Sequence, residues 1–117
     1  MMKPPHQELT AVLREPKFYP HPVRHVDIRE THISIVALAG EFVYKIKKPL
    51  DLGFLDFTTL EKRQYYCLQE VALNRRLSRD VYLEVVAIAR DEQGGYRLGG
   101  PGPVVEYAVK MRRLPDA

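Results

Sequence analysis

The feature that most constrains this sequence is a pair of strand-length runs joined by only two residues. Ile33-Ser34-Ile35-Val36-Ala37-Leu38-Ala39 leads into Gly40-Glu41, then Phe42-Val43-Tyr44-Lys45-Ile46-Lys47-Lys48, and Pro49 closes the second run. Glycine at the first position of a two-residue loop is the type II′ hairpin signal, because a positive φ there matches the twist of the flanking strands. The nearly unbroken apolar character of the first run calls for cover on both faces. An antiparallel sheet is therefore the expected frame.

The remaining segments extend that frame. Val23 to Arg29 reads as a preceding strand, with Val26 and Ile28 as its apolar side, and Val81–Ala89 and Val104–Arg112 read as two later strands. Thr58-Thr59-Leu60-Glu61 has the spacing of a capping box, with the Thr58 hydroxyl accepting from the Glu61 amide. A helix free of proline and glycine is expected from there to about Leu77. Glu8–Arg14 suits two helical turns stopped by Pro16, while Pro20 and Pro22 oppose regular structure around His21, and residues 1–7 read as a loose tail. Asp91 to Pro103 holds five glycines and two prolines and reads as a loop. The expected fold is α+β: a five-stranded antiparallel sheet with one long helix after the third strand. Residues 1–22 form the tail and short helix, and residues 23–117 form the sheet domain.

Composition narrows the function classes. In 117 residues, 45% apolar and 28% charged, no run approaches the roughly 20 apolar residues of a membrane-spanning helix. The opening Met1-Met2-Lys3-Pro4-Pro5-His6-Gln7-Glu8 carries no apolar signal core, and Cys67 has no second cysteine to pair with. Reducing cytoplasm is the expected compartment. A net charge of +3 permits an anionic partner without requiring one. His6, His21, His25 and His32 have no spacing that gathers a metal. The glycines from Gly94 to Gly102 are not a P-loop, because no Lys-Ser/Thr pair follows them.

The chemistry-bearing pattern lies on the third strand and the long helix. Alternation puts Phe42, Tyr44 and Ile46 on one face and Val43, Lys45 and Lys47 on the other. At 100° per residue, Tyr66, Leu73 and Leu77 cluster on one side of an apolar arc and Leu60, Cys67 and Val71 on the other, with Glu70 between them. A carboxylate directed into packing needs a partner, and a lysine on the adjacent strand would serve. Arg63, Asn74 or water are the other partners within reach of Glu70.

A strand lysine paired with a helix glutamate holds the α/β-phosphates of ATP in protein-kinase-like enzymes. A small apolar residue stands two positions before that lysine, as in Val43-Tyr44-Lys45, which favours Lys45 as the phosphate ligand over Lys47. Further segments carry a resemblance. Glu30-Thr31-His32-Ile33-Ser34, Val43–Pro49, Asp51-Leu52-Gly53-Phe54-Leu55-Asp56-Phe57, Leu73-Asn74-Arg75-Arg76-Leu77 and Glu106–Arg112 resemble a bacterial aminoglycoside-phosphotransferase-like family, often fused to a P-loop ATPase domain. The resemblance implies the small, ATP-holding lobe of a kinase-like fold, cut at its hinge and inactive alone. It implies Lys45 on phosphate, Glu70 orienting it, Val43 over the base, and Met111 and Arg112 at the hinge beside adenine. ATP, with magnesium in the complete enzyme, and a large lobe in cis or in trans are the implied partners.

Two departures bear on this expectation. No G-x-G-x-x-G run lies between the first two strands, so backbone amides have no glycine-lined cradle for phosphate. No counterpart of the catalytic base or the metal-binding aspartate occurs, and Asp51 and Asp56 fit turn caps. The alternative is a non-catalytic module in which Lys45, Lys47, Lys48, Arg75, Arg76 and Arg79 hold RNA or another polyanion. Tyr44 alternates away from the lysines, so stacking and charge are not interleaved as a base-binding sheet requires. A third reading is a regulatory remnant that pairs with a separate large lobe.

Overall fold

The computed structural model describes residues 5–78 and 80–114, with side chains from residue 8 onward. Of the tail expected over residues 1–7, residues 1–4 lie outside the described residues, as does Arg79, and residues 5–7 are not a tail but the first turn of a helix. The chain order is α1 (Pro5–Leu13), β1 (Val26–Glu30), β2 (Ser34–Ala39), β3 (Phe42–Lys47), α2 (Leu60–Arg75), β4 (Tyr82–Arg90), β5 (Tyr96–Leu98) and β6 (Val104–Arg112), with a 3-10 turn at Pro16–Phe18 between α1 and β1.

The expected five-stranded sheet of kinase-like small-lobe type is corrected. Six strands form one sheet in the order β1-β2-β3-β6-β4-β5, with every pairing antiparallel. The additional strand is Tyr96-Arg97-Leu98, inside the segment read as a loop. Three residues flanked by glycines are too short for a period of two to register, yet they pair along β4 from Ile88↔Leu98 to Arg90↔Tyr96. The short helix expected over Glu8–Arg14 is present as α1, Pro5–Leu13.

The β2–β3 hairpin has the expected turn. Gly40 has φ +62 and no described non-glycine residue has positive φ, which is the type II′ requirement. The register runs from Ser34↔Lys47 to Ala39↔Phe42. Other boundaries move: β1 begins at Val26 rather than Val23, and α2 ends at Arg75. The N-cap of α2 is Thr59, whose hydroxyl accepts from the Lys62 amide at 3.2 Å. Thr58, expected as the cap, stands one residue earlier, and its hydroxyl donates to Asp56 Oδ1 at 2.6 Å.

The two sheet faces are covered by different parts of the chain. On one face Tyr44, Ile46, Ile35, Ala37, Ala39, Ile88 and Ala108 pack with Leu9 and Leu13 of α1 and with Tyr19. Each large side chain buried completely there contributes about 1.5–3 kcal/mol. The N-terminal segment therefore shares the main core. On the other face Cys67 and Val71 of α2 meet Val109, with Tyr82, Val85, Tyr107 and Met111 around them. Among the described residues no helix is long and apolar enough to cross a membrane.

The apolar arc of α2 is rotated from expectation. Its buried residues are Arg63, Cys67 and Val71, whereas Leu73 and Leu77 face outward, Leu77 with 87% of its surface exposed. The sheet's apolar residues Val109, Tyr82, Val85, Tyr107 and Met111 pack against Cys67 and Val71, and Leu77 lies beyond the last helical residue.

Candidate functional site

Glu70 stands between two ammonium groups. Lys47 Nζ lies 2.8 Å from Oε1, and Lys45 Nζ lies 3.5 Å from Oε2. The strand period explains the convergence, since Lys45 and Lys47 share the face of β3 that looks toward α2. Sequence reasoning favoured Lys45. The structure brings both lysines to Glu70 and makes Lys47 the closer one. Their surroundings differ: the Lys47 side chain is 10% exposed, Glu70 15% and Lys45 35%. The Lys47 ammonium also lies 5.2 Å from the centre of the Phe57 ring, within cation–π range. Lys48 turns elsewhere and pairs with Glu30 at 2.7 Å.

The other expected site residues occupy the same sheet face or its end. Val43 pairs directly with Met111 across β3 and β6, so the two side chains lie side by side on the lysine face. Met111 also packs at the margin of the Cys67–Val71–Val109 cluster. Arg112 closes β6. Its amide donates to Val81 O at 2.7 Å, and the next amide, of Arg113, donates to Glu41 O at 2.8 Å. Those two backbone donors are thus committed to the sheet.

The turn between β1 and β2 closes on itself. Thr31 Oγ1 accepts from the amides of Ser34 at 2.9 Å and Ile33 at 3.3 Å, and the Thr31 and Ser34 hydroxyls meet at 2.9 Å. Asp51 and Asp56 act as turn caps. Asp51 Oδ1 accepts from Gly53 N at 2.8 Å, and Asp56 Oδ1 accepts from Thr58 N at 2.9 Å. Hydrogen bonds from Lys62 and Thr58 hold the Asp56 carboxyl well below the usual carboxylate range.

A second ion pair was not anticipated. Arg63 Nε donates to both oxygens of Glu106, at 2.9 and 3.1 Å, and Nη1 donates to Phe57 O at 2.8 Å. Burial raises the Glu106 carboxyl above its ordinary value, while the Arg63 guanidinium and the Tyr107 amide oppose that rise. The available signal was the stripe Arg63–Cys67–Val71, which places an arginine in line with two packed residues. Phe57 joins the two ionic groups: its ring faces Lys47, its carbonyl takes Arg63, and its own amide donates to Leu50 O at 2.8 Å. Cys67, fully buried one turn beyond Arg63, has its thiol pushed up to about 11, chiefly by burial.

Cavities of about 630 and 420 Å³ are lined by residues other than Lys45, Lys47 and Glu70. The first lies against Arg90, Asp91 and Arg97, the second between Leu9, Pro49, Tyr96 and Glu106. Among the described residues no three His, Cys, Asp or Glu side chains converge as metal ligands.

No family model matches the chain, and no solved structure matches it. It is similar to uncharacterized proteins of Mycobacterium bovis and of two Mycobacterium tuberculosis strains, 39% identical over 99 residues in each case. The aligned region is 82% of this chain and 18% of each relative, so the chain spans under a fifth of the length of the curated relatives it matches.

Proposed function

We propose that the face carrying Lys45, Lys47 and Glu70 holds the phosphates of ATP, and that this chain is the nucleotide-binding part of a small-molecule phosphotransferase. The observation that carries the reading is charge: two ammonium groups converge on one carboxylate, leaving one positive charge beside a partly buried site. A phosphate oxygen supplies the missing anion through charge-assisted hydrogen bonds. Val43 and Met111, adjacent on the same face, offer an apolar surface for the base. With the Arg112 and Arg113 amides engaged, backbone donors to the base fall to other residues.

The resemblance of the lysine strand and the Gly53–Phe57 segment to aminoglycoside-phosphotransferase-like sequences supports the same reading. The phosphate acceptor, the catalytic base and the magnesium ligands belong, in this proposal, to a further part of the enzyme in cis or in trans. Magnesium bound there would shield the phosphate oxygens, while Lys45 orients them. Cytoplasm is the compartment proposed, in keeping with one unpaired thiol.

Calorimetric titration of the chain with ATP tests the proposal. Binding is expected, with affinity falling roughly tenfold or more in Lys45→Ala, the range of one charge-assisted contact. Turnover by the longer protein should be lost with the same substitution. Equal binding by the native chain and Lys45→Ala overturns the reading, as does strongly salt-dependent binding of single-stranded RNA with no response to ATP.

A further inference from the structure

The two lysines at Glu70 are not equivalent. Lys47 is enclosed: its ammonium is held by Oε1 at 2.8 Å, lies over the Phe57 ring, and belongs to a side chain only 10% exposed. Phe57 is itself fixed, since it is buried and both its carbonyl and its amide are bonded. Lys45 has the looser geometry, 3.5 Å from Oε2, and more than three times the exposure at 35%. A carboxylate already satisfied by one close ammonium attracts a second less strongly, because the first cancels most of its field.

From this we infer that Lys47 is a positioning residue: by neutralising Glu70 it leaves the Lys45 ammonium free to engage an anionic ligand. Lys47 need not touch the ligand at all. Oε2 directs Lys45 without capturing it, and Phe57 together with the helix packing at Cys67 keeps the carboxylate in register. Removal of Lys47 leaves Glu70 with a single ammonium within reach, and Lys45 collapses onto it. The triad then carries no net charge, and anion affinity falls. The inference rests on the phosphate-holding reading, and it specifies which lysine meets the phosphate and what the other does.

Net charge makes the division testable. The native triad carries +1, Lys47→Met carries zero, and the double variants Lys47→Met/Glu70→Gln and Lys45→Met/Glu70→Gln each carry +1. Affinity for inorganic tripolyphosphate and for ATP is measured on the full chain. Lys47→Met should bind roughly tenfold more weakly than native. Lys47→Met/Glu70→Gln should recover native affinity, because Lys45 is released, whereas Lys45→Met/Glu70→Gln should stay weak at the same net charge. Equal affinity of the two double variants overturns the division, since only the overall field would then matter. Recovery by Lys45→Met/Glu70→Gln alone overturns it in the opposite sense, with Lys47 as the ligand.

A second readout needs no ligand. The rate of reductive methylation at Lys45, followed by peptide mass, should fall in Lys47→Met and recover in Lys47→Met/Glu70→Gln. An unchanged Lys45 rate in Lys47→Met overturns the inference. Should Lys47→Met fail to fold, the two double variants decide, since neither leaves an unpaired carboxylate. A native chain that binds neither phosphate compound, yet shows the methylation pattern, removes the phosphotransferase reading and leaves the division of roles standing.

Discussion

Arg63 of α2 and Glu106 of β6 form a buried pair in which one guanidinium nitrogen reaches both carboxylate oxygens, at 2.9 and 3.1 Å. Each side chain is about 10% exposed, so either charge left alone would face a large desolvation cost. Arg63→Met is expected to lower stability by about 3–5 kcal/mol, the range for breaking a buried pair from one side. The same substitution also frees Phe57 O, so the segment leading into α2 should loosen. Urea denaturation measures the first effect. Amide exchange at Thr58, Thr59 and Leu60 measures the second.

The raised Glu106 carboxyl has a consequence for pH. Its folded-state value lies above the ordinary glutamate value, so the folded state binds the proton more tightly than the unfolded chain. Its contribution to stability is therefore fully present below the ordinary glutamate value and is lost as pH rises through the folded-state value. Asp56 acts in the opposite sense, because its lowered carboxyl adds stability that is lost as pH falls. Glu106→Gln removes this titration and the charge facing Arg63 but leaves the Asp56 titration in place, so the pH dependence of the difference reports Glu106. The stability difference between native and Glu106→Gln should grow as pH is lowered from 7 toward 4.5, read from urea midpoints. A difference that shrinks over that range contradicts the sign.

Cys67 is fully buried and its thiol is pushed up to about 11, so the thiolate is scarce at neutral pH. The native chain should not react with an aromatic disulfide reagent, and reaction should begin where urea unfolds the protein. Cys67→Ala is expected to be mild. Cys67→Ser places a hydroxyl among Val71, Val109 and Tyr107 and should cost about 1–3 kcal/mol. Rapid labelling under native conditions would show that α2 lifts from the sheet.

The sequence carried the hairpin, the long helix and the Glu70–lysine meeting because each rests on a strong local signal. Gly40 demands one turn, period two separates Lys45 from Tyr44, and period 3.6 turns Glu70 toward the sheet. What escaped depends on tertiary partners. β5 is three residues long and exists as a strand only because β4 offers it an edge. Leu73 and Leu77 satisfy helical spacing, but the sheet does not extend beneath them. Arg63 reads as a possible partner of Glu70, but its carboxylate is Glu106, 43 positions away and beyond any local signal. The preference for Lys45 came from spacing to Val43, which says nothing of the Phe57 ring that encloses Lys47.

His21 ties the segment before β1 to the sheet. Its Nε2 lies 2.8 Å from Tyr44 Oη, and the two rings are nearly parallel with centroids 5.9 Å apart. Tyr19 adds a hydrogen bond from its hydroxyl to Leu13 O at 2.6 Å. Tyr44→Phe should cost about 0.5–1.5 kcal/mol, the net value of one hydrogen bond. His21→Ala should cost more, because ring contacts to Phe42 and Tyr44 go with it. A double-mutant cycle measures the pair. A coupling near zero would mean that the hydroxyl and the imidazole act independently.

Two glycines with positive φ separate backbone strain from steric contact. Gly40 has φ +62 and Gly53 has φ +85, so alanine at either position takes a left-handed conformation costing about 1–2 kcal/mol. Their surroundings differ. A Cβ at Gly53 meets nothing within 4 Å, whereas one at Gly40 falls 2.7 Å from Pro22 O, a backbone atom that cannot swing aside. Gly40→Ala must therefore distort the hairpin turn or displace the Pro22 segment, and with it the His21–Tyr44 contact. Gly53→Ala should lose only the conformational part, and Gly40→Ala clearly more, with altered chemical shifts at His21 and Tyr44. Equal losses at the two sites, read from thermal and urea unfolding, would show that the Pro22 segment yields freely and is not held by His21.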